Sequence, residues 1–365
     1  MKTFHCDLCN GPLFFENSHC TQCDLAVGYF PDRNEMATLK GKRHRPCHNY
    51  EAEQICNWMI PAEDPEEYCL SCRLTRTIPS LDTPGHRSLW HRLEIAKRRL
   101  IYSLLDMGLP VISKTVDAEQ GLAFEFLADA PGSDTPHVLT GHADGVITLN
   151  IAEADDAERE RRRNSLGEPY RTLLGHFRHE TGHYYWNLLI QDTERLADFR
   201  RMFGDERADY AQAMQKHYAD GPPEDWQTRF VSAYASSHPW EDWAETWAHY
   251  LHMTDSLDTA AAFGLALRPE PKKTARIVPV RGLAGFGDVA GSWAILTCAL
   301  NCLNRSMGLQ DAYPFVLSEP ALAKLRYVHE LVNGNEPRLR IKDRTASAAL
   351  EVQAGTNPPP LAAAG

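Results

Sequence analysis

Four cysteines in the first two dozen residues limit how this chain can fold more than any other feature. Cys6 and Cys9, then Cys20 and Cys23, form two Cys-x2-Cys pairs with ten residues between them. Each pair makes a tight knuckle whose thiolates converge, and two knuckles close a tetrahedral zinc site with no open coordination position. Such a site is structural. A segment this short buries too little apolar surface to fold unaided, so metal binding supplies much of its folding free energy. A redox pair would need a strand–helix pattern around a knuckle, and neither has one. Cys47, Cys56, Cys69 and Cys72 follow, but only the last two form a knuckle. A second structural zinc is expected there, with unligated thiols the alternative. Cys298 and Cys302, four apart in an apolar helical run, read as small core residues.

The second constraint is His179-Glu180-Thr181-Gly182-His183. Histidines four apart share one helix face, so both imidazoles can reach one metal ion, and the glutamate between them is placed to take a proton from water. Five residues alone are weak evidence, and context has to decide. The run from Tyr170 to Ile190 has apolar residues at helical spacing, with Pro169 suited to the first turn. Leu173, Leu174, Phe177, Tyr184 and Leu188 can face a core while His179, Glu180 and His183 face elsewhere. Gly182 is an odd choice within a helix unless another element packs closely. Upstream, Asp144-Gly145 is a hairpin-turn signal between Val138–His142 and a strand at Gly145–Ile151.

A catalytic zinc takes three protein ligands and keeps one position open, so a third ligand should lie downstream. Pro239 opens a helix on which Glu241, Glu245, His249 and His252 fall along one stripe, amid Trp243, Ala244, Trp247 and Leu251. Two carboxylates on an otherwise apolar helix are costly to bury without partners, and a metal with its histidines would be suitable ones. Plainer readings compete. Glu245 could be a salt-bridge partner, Tyr234 a core tyrosine, and His176, His238, His249 and His252 cleft or packing residues.

With these residues in view, the chain resembles the glutamate-zincin metallopeptidases, in particular the anthrax-lethal-factor-like branch with its Glu-x-x-Ala-Glu second helix. More closely, it resembles bacterial zinc-binding metallopeptidases that carry an N-terminal zinc ribbon. The likeness covers about nine-tenths of the chain and includes Gly145–Asp155, Arg178–Trp186 and Glu241–Thr246. It implies that His179, His183 and Glu241 bind a catalytic zinc, that Glu180 is the general base, and that Glu245 accepts a hydrogen bond from a ligand histidine. Tyr234, seven residues before Glu241, would stabilise the oxyanion. Arg178 departs from the apolar residue common in zincins at that position, a change that could alter what enters the cleft.

The 365 residues, 43% hydrophobic, are enough for a full core and for a small domain ahead of a large one. The expected layout is a ribbon at 1–40, a second cysteine-bearing segment at 41–78, an α+β zincin-like metallopeptidase domain at 79–335 and a disordered tail at 336–365. Leu122–Ala128 reads as a strand, and Leu93 to Leu105 as one face of a helix that stops at Gly108 and Pro110. A net charge of −11 argues against general nucleic-acid or anionic-membrane binding. No apolar signal region and no membrane span are expected. Ten cysteines without a secretion signal imply a reducing cytoplasm and metal thiolates. The expectation is therefore a cytoplasmic zinc metallopeptidase with one catalytic and one or two structural zinc ions, acting on a peptide or protein. The ribbon would recruit a protein partner or gate the cleft. The rival is a zinc-ribbon adaptor whose peptidase-like domain is catalytically silent.

Overall fold

The computed structural model describes residues 1–130, 138–166, 172–267, 275–276 and 285–334. Pro169 and the tail expected from 336 onward lie outside them. The N-terminal part is a series of short antiparallel pairs: β1 (Phe4–His5) with β2 (Pro12–Leu13), β3 (Val27–Phe30) with β4 (Glu35–Thr38), and β5 (His44–Pro46) with β6 (Met59–Pro61). A short helix, α1 (His48–Glu51), lies within the last pair's connection. The strand β7 (Thr75–Thr77) then leaves the cysteine-rich region and joins the larger sheet.

That sheet runs in the order β7–β8–β10–β9, with α2 (His86–Asp106) between β7 and β8 (Ala123–Leu127) in sequence. The neighbours β7/β8 and β8/β10 (Val146–Asn150) are parallel, while β9 (Gly141–Ala143) returns antiparallel to β10 as the edge strand. The β9–β10 turn is Asp144-Gly145, both with positive φ (48° and 76°), the backbone a tight hairpin demands. Leu122, Phe124 and Phe126 line one buried face, onto which α2 and α4 (Leu173–Leu189) pack. Thr172 caps α4 by accepting a hydrogen bond from the Gly175 N–H, so the first turn starts at Leu173.

Short helices follow: α3 (Asp156–Leu166) ahead of α4, then α5 (Arg195–Phe203) and α6 (Tyr210–Asp220). The long α7 (Pro239–Ala262) starts with proline in its first turn and His238 as N-cap, and lies against α4. β11 (Ala266–Leu267) pairs with β12 (Ala275–Arg276), and α8 (Phe286–Ser306) and α9 (Glu319–Asn333) complete the nine α-helices among the described residues. α9 is tied to α7 by a buried Lys324–Asp242 ion pair at 2.6 Å.

From Phe177 to Trp186 α4 is buried on every side, its histidines included, because the sheet covers one face and α7 the other. Gly182 explains how the helices come so close. A Cβ at this position would sit 2.9 Å from the Ala244 Cα, and the Gly182 carbonyl accepts the Trp243 indole N–H at 2.8 Å. Gly182→Ala should therefore destabilise by roughly 1–3 kcal/mol as α4 and α7 are pushed apart. An unchanged melting temperature would show that the contact relaxes freely.

The core is continuous from the ribbon to the C-terminal helices. Phe15 and Tyr29 from the ribbon meet Tyr102 of α2 at ring distances of 5.1 and 5.7 Å, and Trp58 closes the cluster. One sequence expectation fails on α8. Its buried stripe is Phe286, Val289, Trp293 and Leu296, which puts Cys298 and Cys302 about half a turn away, both exposed rather than in the core. The helix is also long and apolar enough to cross a membrane by length and composition, with a mean hydropathy of 1.3, although Trp293 and Leu296 pack into the protein.

Candidate metal centre

α4 and α7 bring His179, His183 and Glu241 into one buried cluster, with a donor atom from each within 4.8 Å of the others. The His179 Nε2 lies 3.0 Å from one Glu241 oxygen, and the His183 Nε2 lies 3.6 Å from the other. A tetrahedral zinc with bonds near 2.05 Å holds its ligand atoms about 3.3 Å apart, so this donor set fits that ion. Glu245, one turn beyond Glu241, accepts from the other nitrogen of His179 (2.8 Å) and from the Ser232 hydroxyl. That contact fixes the ring and leaves Nε2 facing Glu241. Burial would raise the Glu245 carboxyl, but His179 outweighs it and holds the group down at about 2.

The walls around this cluster are aromatic. The Trp240 ring lies 4.2 Å from that of His183, and His142, on the edge strand β9, stacks on His183 at 6.3 Å. Burial, then the neighbouring His183, push His142 down to about 4, so it is neutral at physiological pH. Its Nε2 accepts the Gly145 N–H. The ring of Tyr234 is 5.8 Å from that of His179, and burial followed by the Glu241 charge raises its hydroxyl well above the ordinary value. Tyr210 was not singled out from sequence. Its hydroxyl donates to Glu241 at 3.0 Å from the first residue of α6, whose N-cap is Asp209.

Glu180 is 5% exposed and lies outside the three-donor cluster. Burial would raise its carboxyl, but His176 and the two cluster histidines hold it below the usual value. The remaining histidines separate by role. His249 bonds the Tyr313 hydroxyl at 2.8 Å and His252 packs on Trp293, so the far half of the α7 stripe is packing. His238 caps α7. Arg178 is buried and paired with Asp255 of α7, which matches its charge within the protein.

Both cysteine quartets form in full: Cys6, Cys9, Cys20 and Cys23, and separately Cys47, Cys56, Cys69 and Cys72. Cys6–Cys23 and Cys9–Cys20 approach to 3.8 and 3.6 Å, and Cys56–Cys69 to 3.8 Å. Four sulfurs bonded at 2.3 Å to a tetrahedral zinc stand about 3.8 Å apart, whereas a disulfide would need about 2.05 Å. Backbone N–H groups of Trp58, Cys69 and Cys72 point at sulfurs of the second quartet, as they do in a knuckle. All four of its cysteines are buried, whereas Cys9 and Cys23 of the first are partly exposed.

Comparison with known proteins agrees with this donor chemistry. Residues 86–331 match the family described as "Putative zinc-binding metallo-peptidase", and residues 3–83 match a zinc-ribbon domain. An uncharacterized protein of Mycobacterium tuberculosis (strain H37Rv) is 44% identical over 339 residues, covering 92% of this chain and 97% of its own length. An uncharacterized protein of Mycobacterium bovis matches to the same extent. No solved structure matches. The chain belongs to this family of zinc-binding metallo-peptidases and carries a zinc ribbon ahead of the peptidase region.

Proposed function

We propose that this protein is a zinc-dependent peptidase of the gluzincin type, with a zincin-like arrangement of sheet edge and paired helices. The observation that carries the reading is the placement of Glu180. A buried, ionised carboxylate stands beside a three-donor cluster without belonging to it, as a general base requires. His179, His183 and Glu241 would hold the zinc, which supplies the Lewis acid that polarises the scissile carbonyl and makes water nucleophilic at neutral pH. Glu180 accepts the proton of the attacking water and returns it to the departing amine. Tyr234 donates to the developing oxyanion, a contact strongest in the transition state. Tyr234→Phe should lower turnover by roughly 100-fold while leaving zinc content and melting temperature unchanged. A fall in stability with turnover per folded molecule intact would make Tyr234 a packing residue.

The substrate is a peptide or protein, docked against the edge strand β9. The two thiolate quartets each hold a structural zinc, giving about three ions per chain, which metal analysis can count. Residues 1–40 and 41–78 form the two zinc modules, ahead of a peptidase domain at 79–335. The thiolate sites suit a reducing cytoplasm. A comparison of protein N-termini in cells making the wild type or Glu180→Gln tests the function. New termini found with the wild type alone would identify substrates. Identical sets of termini would favour an adaptor that keeps zinc but does not turn over.

A further inference from the structure

Beside the metal cluster, Glu180 belongs to a second set of charged groups whose other members the proposed chemistry does not yet use. His176 and Glu180 are one turn apart on α4, and the His176 Nε2 lies 3.3 Å from a Glu180 oxygen. The other ring nitrogen, Nδ1, bonds a carboxylate oxygen of Glu153, in the turn that follows β10. The second Glu153 oxygen accepts from the Thr140 hydroxyl at 2.6 Å, one residue before the edge strand β9. Thr140 is itself fixed by the Asn150 N–H, and Arg159 of α3 holds the Glu153 backbone carbonyl. Glu153 is 3% exposed. His176 is thus enclosed between two carboxylates supplied by different elements.

A neutral imidazole has one N–H and one lone pair. With a carboxylate against each nitrogen, one lone pair would face an anionic oxygen, so the arrangement requires both nitrogens to be protonated. We propose that His176 is a positioning residue for Glu180: an imidazolium, anchored by Glu153, that pairs with the Glu180 carboxylate and fixes one of its oxygens. The other oxygen is then left to receive the proton of the attacking water. The assignment rests on the peptidase reading above for its catalytic meaning, but the charge state and the pairing stand on geometry alone. The balance of forces on the ring agrees. Burial would lower its pKa, yet Glu153 and then Glu180 raise it to about 9. Glu153 and Glu180 face His176, while His176, His179 and His183 of α4, His142 of β9 and Tyr210 of α6 face Glu180.

The test uses the full-length zinc-loaded protein labelled with 15N at histidine. His176→Gln identifies the ring signals of this residue among the 16 histidines. In the wild type both nitrogens should stay protonated through neutral pH and titrate near 9. The midpoint should fall by about one pH unit or more, a tenfold loss of proton affinity, in Glu153→Gln and separately in Glu180→Gln. A neutral ring at pH 7, or a midpoint that Glu180→Gln leaves in place, overturns the proposal without needing a substrate. Cleavage of fluorescein-labelled casein supplies the second readout. His176→Gln should keep its zinc and cleave roughly 10–100-fold more slowly, because the Glu180 oxygen is no longer held in place. An unchanged rate with the zinc retained would also overturn it. Casein left intact by the wild type, or cut equally fast by Glu180→Gln, would count against the peptidase reading, and the ring titration would still decide the role of His176.

Discussion

Glu241→Ala should reduce the protein's zinc by one ion per chain and leave the fold in place, whereas Glu245→Gln should only loosen that ion. Glu241 is 2% exposed in the first turn of α7 and sets one oxygen against each histidine of the cluster. Its removal deletes a ligand charge and leaves two imidazoles, short of the three protein ligands a catalytic zinc needs. Glu245 touches His179 through the nitrogen that faces away from Glu241, so its loss frees the ring to turn without removing a donor. Changes of that kind cost about 10–100-fold in metal affinity. Dialysis against a zinc-buffering chelator, followed by metal analysis, separates the two variants. If Glu245→Gln loses the ion and Glu241→Ala retains it, the ligand is one helical turn away from the residue proposed here.

How much of this arrangement the sequence displayed depends on how locally each feature is encoded. The α4 motif and the α7 stripe were legible because helical spacing alone puts His179 with His183, and Glu241 with Glu245. The odd glycine at 182 pointed to a close neighbour, which proves to be Ala244. The β9–β10 hairpin was written in Asp144-Gly145. Contacts that join distant segments left no such mark. Tyr210 reaches Glu241 from 31 residues upstream, and His176 meets Glu153 across 23 residues. Neither pair has a period or a turn signal to announce it. The parallel placement of β7 beside β8, through the crossover helix α2, was hidden for the same reason. Cys298 and Cys302 misled because α8 is apolar nearly all round. A pattern without a polar face does not say which side is buried, and packing by Phe286, Val289, Trp293 and Leu296 settled it.

The two cysteine quartets should respond very differently to mutation. Cys69→Ala should cost the whole chain its fold, while Cys9→Ala should remove one zinc and unsettle mainly the ribbon. The second quartet is enclosed in the shared core, with Trp58 against it and β7 leading directly into the main sheet. Arg98 of α2 is buried beside the Cys56, Cys69 and Cys72 sulfurs and donates to the Ile55 carbonyl at 2.6 Å. A zinc with four thiolates carries two negative charges, and this guanidinium is a buried cation that offsets part of them. Losing the ion would strip away much of the negative charge around buried Arg98, leaving Glu94 as its remaining counter-charge, on the helix that supports the sheet. A structural zinc contributes on the order of 10–16 kcal/mol, as much as the roughly 5–15 kcal/mol that separates folded from unfolded chains. Cys9 sits instead in a partly exposed knuckle, with Cys23 of the same quartet also partly exposed. The measurement is near-UV and far-UV circular dichroism with zinc analysis on both variants. Cys69→Ala should lack the aromatic signal of a packed core, whereas Cys9→Ala should retain helix, the remaining metal and most of that signal. A Cys69→Ala protein that melts within a few degrees of wild type would mean that these four thiols pack together without holding an ion.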